Sequence, residues 1–201
     1  MAQTKRLTGI AAAWAVTALL GGSAWAGPLD HPGYVKSLTC TACHGAAGNS
    51  KSDSMPTLAG MAPAYFTKQI EAYARGKRPS PEMEPYAKMV RELGVDDIAR
   101  YFADQKMEPT PVSASSDAVA RGAAIAAQCV ICHGAEGKGD PARLIPSLAG
   151  QPPGYLLAQM LLFKQDRRNP GDPMLSAVKA LMRTISDDTC RDLAAYYSSL
   201  R

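Results

Sequence analysis

The sequence contains the pattern Cys-x-x-Cys-His twice, as Cys40-Thr41-Ala42-Cys43-His44 and Cys129-Val130-Ile131-Cys132-His133, at an offset of 89 residues. Other features recur at nearly the same spacing. Gly33 pairs with Gly122 at 89, and Pro56-Thr57-Leu58-Ala59-Gly60 pairs with Pro146-Ser147-Leu148-Ala149-Gly150 at 90. Tyr65, Gln69 and Arg78 pair with Tyr155, Gln159 and Arg168, also at 90. Ile98-Ala99-Arg100-Tyr101-Phe102 resembles Leu193-Ala194-Ala195-Tyr196-Tyr197 at 95, so the second copy gains residues before its last helix. The chain therefore reads as a duplicated unit of about 80 residues, each copy carrying its own cysteines and histidine.

The segment joining the copies, Met107 to Ser116, is rich in Pro and Ser and poor in periodic apolar residues, as a semi-extended linker is. This predicts a first domain over 27–108, a linker over 109–116 and a second domain over 117–201. Within the copies the pattern is helical. Asp117 to Gln128 is an Ala-rich run opening on an acid, Tyr65 to Tyr73 and Tyr155 to Phe163 space apolar groups at helical intervals, and Asp187 to Leu200 opens on two acids. Strand alternation bounded by hairpin turns is absent. An all-α fold of two small domains follows, and a domain of this size has a thin core that a large buried cofactor would fill out.

Lys5 and Arg6 precede a short apolar run, Leu7 to Leu20, which leads through Gly21, Gly22 and Ser23 to Ala24-Trp25-Ala26. This has the parts of an export signal cleaved near Ala26. The alternative, an uncleaved anchor, needs roughly 20 apolar residues, more than this run supplies. The expectation is a chain exported to the periplasm, its signal peptide (1–26) removed. A net charge of +4 falls to +2 with the signal's loss, and the basic residues are spread thinly, which argues against nucleic acid as a partner.

Cysteines at this spacing suit a zinc site, a redox dithiol or covalent haem attachment. A shared zinc site would need both motifs to close on one ion, although each copy has a complete set of neighbours. A redox C-x-x-C wants a βαβ setting, which is missing. The histidine that directly follows is required only by haem c, in which the two thiols bond the porphyrin and the histidine ligates the iron. Two covalently attached haem c groups are expected, at Cys40, Cys43 and His44 and at Cys129, Cys132 and His133.

The sequence has only three histidines, so after His44 and His133 only His31 remains and two bis-histidine sites are arithmetically impossible. Methionine is the other common axial ligand. Of the methionines outside the signal, only Met83 and Met174, at offset 91, match each other across the duplication, both in Pro-containing stretches read here as loops. Pro56 and Pro146 follow the motif histidines by 12 and 13 residues, which would let their carbonyls orient the imidazoles, with Leu58 and Leu148 packing on the rings. His31 reads as a surface residue, and Cys190 as a packed thiol on the last helix. Arg78 and Arg168 read as solvated helix-end charges or partners of haem propionates; Tyr65 and Tyr155 as propionate donors or core.

With Cys-x-x-Cys-His-Gly, then Pro-x-Leu-Ala-Gly, Tyr-x-x-x-Gln, Met83 or Met174, and an Ala/Tyr-rich last helix, each copy resembles a class I cytochrome c domain. The tandem resembles the dihaem cytochrome c4 family over roughly residues 31 to 201. The resemblance implies that Gly33 and Gly122 lie where the first helix of each domain crosses the last near Tyr101 and Tyr196, and that the haem propionates approach the domain interface. The first copy departs from it: Pro32 precedes Gly33 and Met61 stands where the second copy has Gln151, so its first helix should be shorter.

A His/Met haem has no open position for substrate, so the expected role is electron transfer rather than catalysis. The leading expectation is a carrier between a quinol-oxidising complex or dehydrogenase and a terminal oxidase, diffusing freely or peripherally associated with the membrane. The alternative is a subunit or dedicated partner of a periplasmic dehydrogenase, for example one oxidising a sulfur compound. A dihaem peroxidase would need a five-coordinate iron and distal acid/base groups, which nothing in the sequence supplies.

Overall fold

The computed structural model describes residues 28–169 and 174–201. The expected signal peptide and residues 170–173 lie outside the described residues. The chain forms α1 (Tyr34–His44), α2 (Pro63–Ala74), α3 (Met83–Leu93), α4 (Val95–Ala103), α5 (Ser116–Ile125), α6 (Ala127–His133), α7 (Pro153–Lys164), α8 (Met174–Thr184) and α9 (Asp187–Ser199). Among the described residues, the single Asp140–Ile145 bridge is the one piece of β pairing.

Local chemistry explains the helix starts. Ser115 and Ser186 cap α5 and α9, their hydroxyls accepting from the N–H groups of Ala118 and Thr189. Both α2 and α7 begin on a proline, whose missing N–H costs nothing there. Gly94 takes φ +100, a left-handed turn that stops α3 and starts α4.

The two halves repeat one packing plan. In the first, α1 crosses α4 over a core that includes Phe66, Ile70, Val90, Ile98 and Phe102; in the second, α5 crosses α9 beside Leu156, Leu193 and Tyr197. The crossings have no room for a side chain. A Cβ on Gly33 would stand 2.0 Å from the Asp97 carbonyl oxygen, and one on Gly122 would stand 2.0 Å from that of Asp192. The first helix is the shorter of the two, as the sequence predicts: the second half's counterpart runs through α5 and α6 with a break at Ala126. His31 is not the surface residue expected. Its Nδ1 accepts the Gly33 N–H at 2.9 Å, its Nε2 lies 3.4 Å from Asp104, and its ring meets Tyr101 edge-on, so it fastens the entry to α1 to the end of α4.

The halves are sewn together. Asp53 reaches from the first half to the start of α7, its carboxylate accepting the Gly154 N–H at 2.8 Å and its carbonyl the Tyr155 N–H at 2.9 Å. The connecting chain is bonded too: Asn49 holds the Lys106 carbonyl and the Glu108 N–H, and the Thr110 N–H donates to Gly150.

Candidate cofactor sites

The Pro-x-Leu-Ala-Gly loop is built identically in both halves. The N–H groups of Leu58 and Ala59 converge on the Gly48 carbonyl at 2.7 and 3.2 Å, and those of Leu148 and Ala149 on Gly137 at 2.7 and 3.1 Å. The loop glycine then donates to the last helix, Gly60 to Phe102 and Gly150 to Tyr197. Held in this way, the proline carbonyl faces the motif histidine. His44 Nδ1 lies 2.8 Å from the Pro56 oxygen and His133 Nδ1 lies 2.9 Å from the Pro146 oxygen.

A carbonyl only accepts, so each imidazole carries its proton on Nδ1 and keeps Nε2 as a lone-pair donor. Burial pushes both imidazoles below the ordinary histidine range, and the carbonyl contacts only partly oppose this. At neutral pH both are therefore neutral, the state that binds a metal. Burial likewise raises the Cys40 and Cys129 thiols.

In the second half Cys129, Cys132, His133 and Met174 line one mostly apolar cavity of about 180 Å³, with Pro146 and Leu148 on its wall. In the first half, Cys40 and Met83 pack against the same core cluster, while His44 is buried and Cys43 exposed. Met83 does not lie in a loop as expected: it is the first residue of α3, and its N–H donates to Ser80 Oγ at 3.2 Å. Met174 is the first described residue of α8, and the stretch expected as its loop, 170–173, lies outside the described residues. That hydroxyl makes Ser80 a local helix-start device, which the surrounding prolines obscured in the sequence. Among the described residues no cluster of three or more His, Cys, Asp or Glu side chains could hold a bare metal ion.

Arg78 and Arg168 are not solvated; they are 3% and 6% exposed and cross between the halves. Arg78 donates to Gln69 in its own half and to Gln159 and Tyr155 in the other. Arg168 donates to Gln159 in its own half and to Gln69 and Tyr65 in the other. Tyr65 and Tyr155 are thus cross-domain partners of the arginines. All these acceptors are neutral, and Arg168 Nε has no hydrogen-bond partner among the described residues. Among the described residues no carboxylate pairs with either guanidinium, and burying two such cations without an anion is costly. A porphyrin that brings carboxylates to this seam would supply the missing charge, and the first half's Tyr65, Lys68 and Gln69 already line the second half's cavity. The residues present fit haem c.

Comparison with known proteins agrees. The Cytochrome c family profile matches residues 119–201. Cytochrome c4 of Pseudomonas aeruginosa is 33% identical over 177 residues, covering 84% of this chain and 87% of the relative. The chain belongs to the cytochrome c4 family. A thiosulfate dehydrogenase electron acceptor of Stutzerimonas stutzeri is 32% identical over 179 residues, covering 81% of this chain and 79% of that protein. Among solved structures, reduced recombinant cytochrome c4 from Pseudomonas stutzeri superposes with TM-score 0.74 at 28% identity, over 84% of this chain and 97% of that one. Thiosulfate dehydrogenase from Marichromatium purpuratum superposes with TM-score 0.73 at 34% identity, over 81% of this chain and 36% of that one. As a cytochrome c4, the chain is a tandem of two class I cytochrome c-like domains with two covalent haem c groups, and an electron-transfer protein rather than an enzyme. No helix among the described residues is long and apolar enough to cross a membrane.

Proposed function

We propose that this cytochrome carries electrons in the periplasm from a quinol-oxidising complex or a dehydrogenase to a terminal oxidase. Cys40 and Cys43 hold one haem and Cys129 and Cys132 the other, by thioether bonds. His44 and Met83 ligate the first iron, and His133 and Met174 the second. Residues 27–108 and 117–201 are the two haem domains, 109–116 joins them, and residues 1–26 direct export. The observation that carries this reading is the matched pair of imidazole–carbonyl contacts at 2.8 and 2.9 Å, each behind a Cys-x-x-Cys-His motif.

Haem c supplies a one-electron Fe(III)/Fe(II) couple. The protein's own work is to hold each imidazole in one tautomer, to keep water from the apolar cavity wall, and to offer a thioether that favours the reduced state. Arg78 and Arg168 balance the carboxylates that the cofactor brings to the seam.

A second reading, a dedicated acceptor for a sulfur-compound dehydrogenase, is favoured by the likeness to a thiosulfate dehydrogenase electron acceptor and to thiosulfate dehydrogenase itself. Stopped-flow reduction of the purified protein by a quinol-oxidising complex, set against reduction by thiosulfate dehydrogenase with thiosulfate, separates the two. An optical redox titration with Met83→His and Met174→His tests the ligands. Each substitution should lower one potential and remove one Met-to-iron charge-transfer contribution; if neither changes, the assignment is wrong.

A further inference from the structure

We infer that Gln151, in the second half, tunes the electron donation of His44 in the first, through a single shared peptide unit. The inference rests on the reading of His44 as an axial ligand. The Pro56 carbonyl that accepts from His44 Nδ1 belongs to the same peptide plane as the Thr57 N–H. That N–H donates to Gln151 Oε1 at 3.0 Å, and Gln151 Nε2 returns a bond to the Thr57 carbonyl at 2.9 Å. Both residues are buried, and the Thr57 side chain is itself fixed, accepting the Ser50 N–H at 3.2 Å. The result is a continuous chain from the Gln151 amide, through the Pro56–Thr57 peptide, to the proton on His44.

Hydrogen bonds in such a chain polarise one another. An acceptor at the Thr57 N–H makes the Pro56 oxygen a stronger acceptor. A histidine whose Nδ1 proton is held more strongly is a more basic ligand, which favours Fe(III) and lowers the potential.

The duplication provides an internal control. The equivalent peptide beside His133 is Pro146–Ser147, and the residue in Gln151's place in the other half is Met61. Met61, Pro146, Ser147 and Gln151 share the walls of a seam cavity of about 110 Å³. A thioether has no N–H and accepts only weakly. The amide clamp therefore exists on the His44 side and cannot form through Met61 on the His133 side. One amide-for-thioether difference lowers the first site's potential relative to the second and ties it to the docking of the halves.

The test is optical redox titration of the haem-loaded full chain, paired with NMR of the reduced protein labelled with 15N-histidine. Gln151→Met should raise the potential of the His44 site, changing its reduced-to-oxidised ratio at fixed applied potential about threefold to tenfold, or ~28 to ~59 mV. It should also move the His44 Nδ1–H resonance upfield and speed its exchange, with the His133 proton unmoved. Met61→Gln should lower the His133 site's potential in the same range. An unmoved His44 proton, an equal shift of both sites, or a silent Met61→Gln overturns the inference. The ligand assignment itself fails separately, if the wild-type His44 ring protons lack the large displacement that a porphyrin ring current imposes on an iron-bound imidazole.

Discussion

The backbone of Gly33 lies so close to Asp97 that a methyl group there would stand 2.0 Å from the Asp97 carbonyl oxygen, well inside contact distance. Gly122 meets Asp192 identically. The obstacle is backbone within a helix, which cannot swing aside like a side-chain tip. Gly33→Ala and Gly122→Ala should each destabilise the loaded protein by roughly 3 kcal/mol, read from the denaturant midpoint at constant slope. A cost below ~1 kcal/mol would mean that the helices separate easily at these crossings.

Arg168 is a buried cation near the seam. Replacing it with Met removes positive charge from beside the sites and so disfavours the added electron. Arg168→Met should lower at least one potential by roughly tenfold in the reduced-to-oxidised ratio, ~59 mV. It should also make the potentials more pH-dependent in the weakly acidic range, as a cofactor carboxylate loses its counter-charge. Potentiometry from pH 5 to 8 checks both; unchanged curves would separate the arginine from the haem carboxylates.

Cys190 is fully buried on α9, and burial raises its thiol above the ordinary range. If Cys40, Cys43, Cys129 and Cys132 hold the haems as proposed, the denatured loaded protein should show a single thiol to a disulfide reagent, and the native protein almost none. Five reactive thiols after denaturation would mean that no haem is covalently held.

Burial pushes the Tyr73 phenol up to about 12. The unfolded chain releases this proton near pH 10, while the folded chain keeps it. The resulting stability is fully present below pH 10 and is lost as pH rises to about 12, by ~2–3 kcal/mol in all. Denaturation curves at pH 9 to 12 should fall more gently for Tyr73→Phe than for wild type.

The repeated motifs made the fold and most of the site legible, because covalent chemistry and tight turns tolerate few residue types. The proline carbonyls behind His44 and His133 were readable for that reason. What stayed hidden depended on contacts between residues distant in sequence. Arg78 and Arg168 read as helix-end charges because nothing local says that a glutamine and a tyrosine about 80 to 100 residues away will bury them. His31 read as surface because its partner Asp104 lies at the far end of the domain. Met83 read as a loop residue because prolines mask a helix start that Ser80 sets with one hydroxyl. Met61 against Gln151 was visible as a departure in the repeat, but its consequence appears only once the peptide beside His44 is seen to carry the bond.

The bonds from Asn49 to the Lys106 carbonyl and the Glu108 N–H, and from Thr110 to Gly150, remove the freedom that a Pro/Ser-rich tether would otherwise have. An electron passing from one half to the other then needs no segmental search or hinge closure, so its rate should be indifferent to solvent viscosity. The connector works as a spacer of fixed length, and the interval it sets is a property written into the chain as firmly as the ligands are.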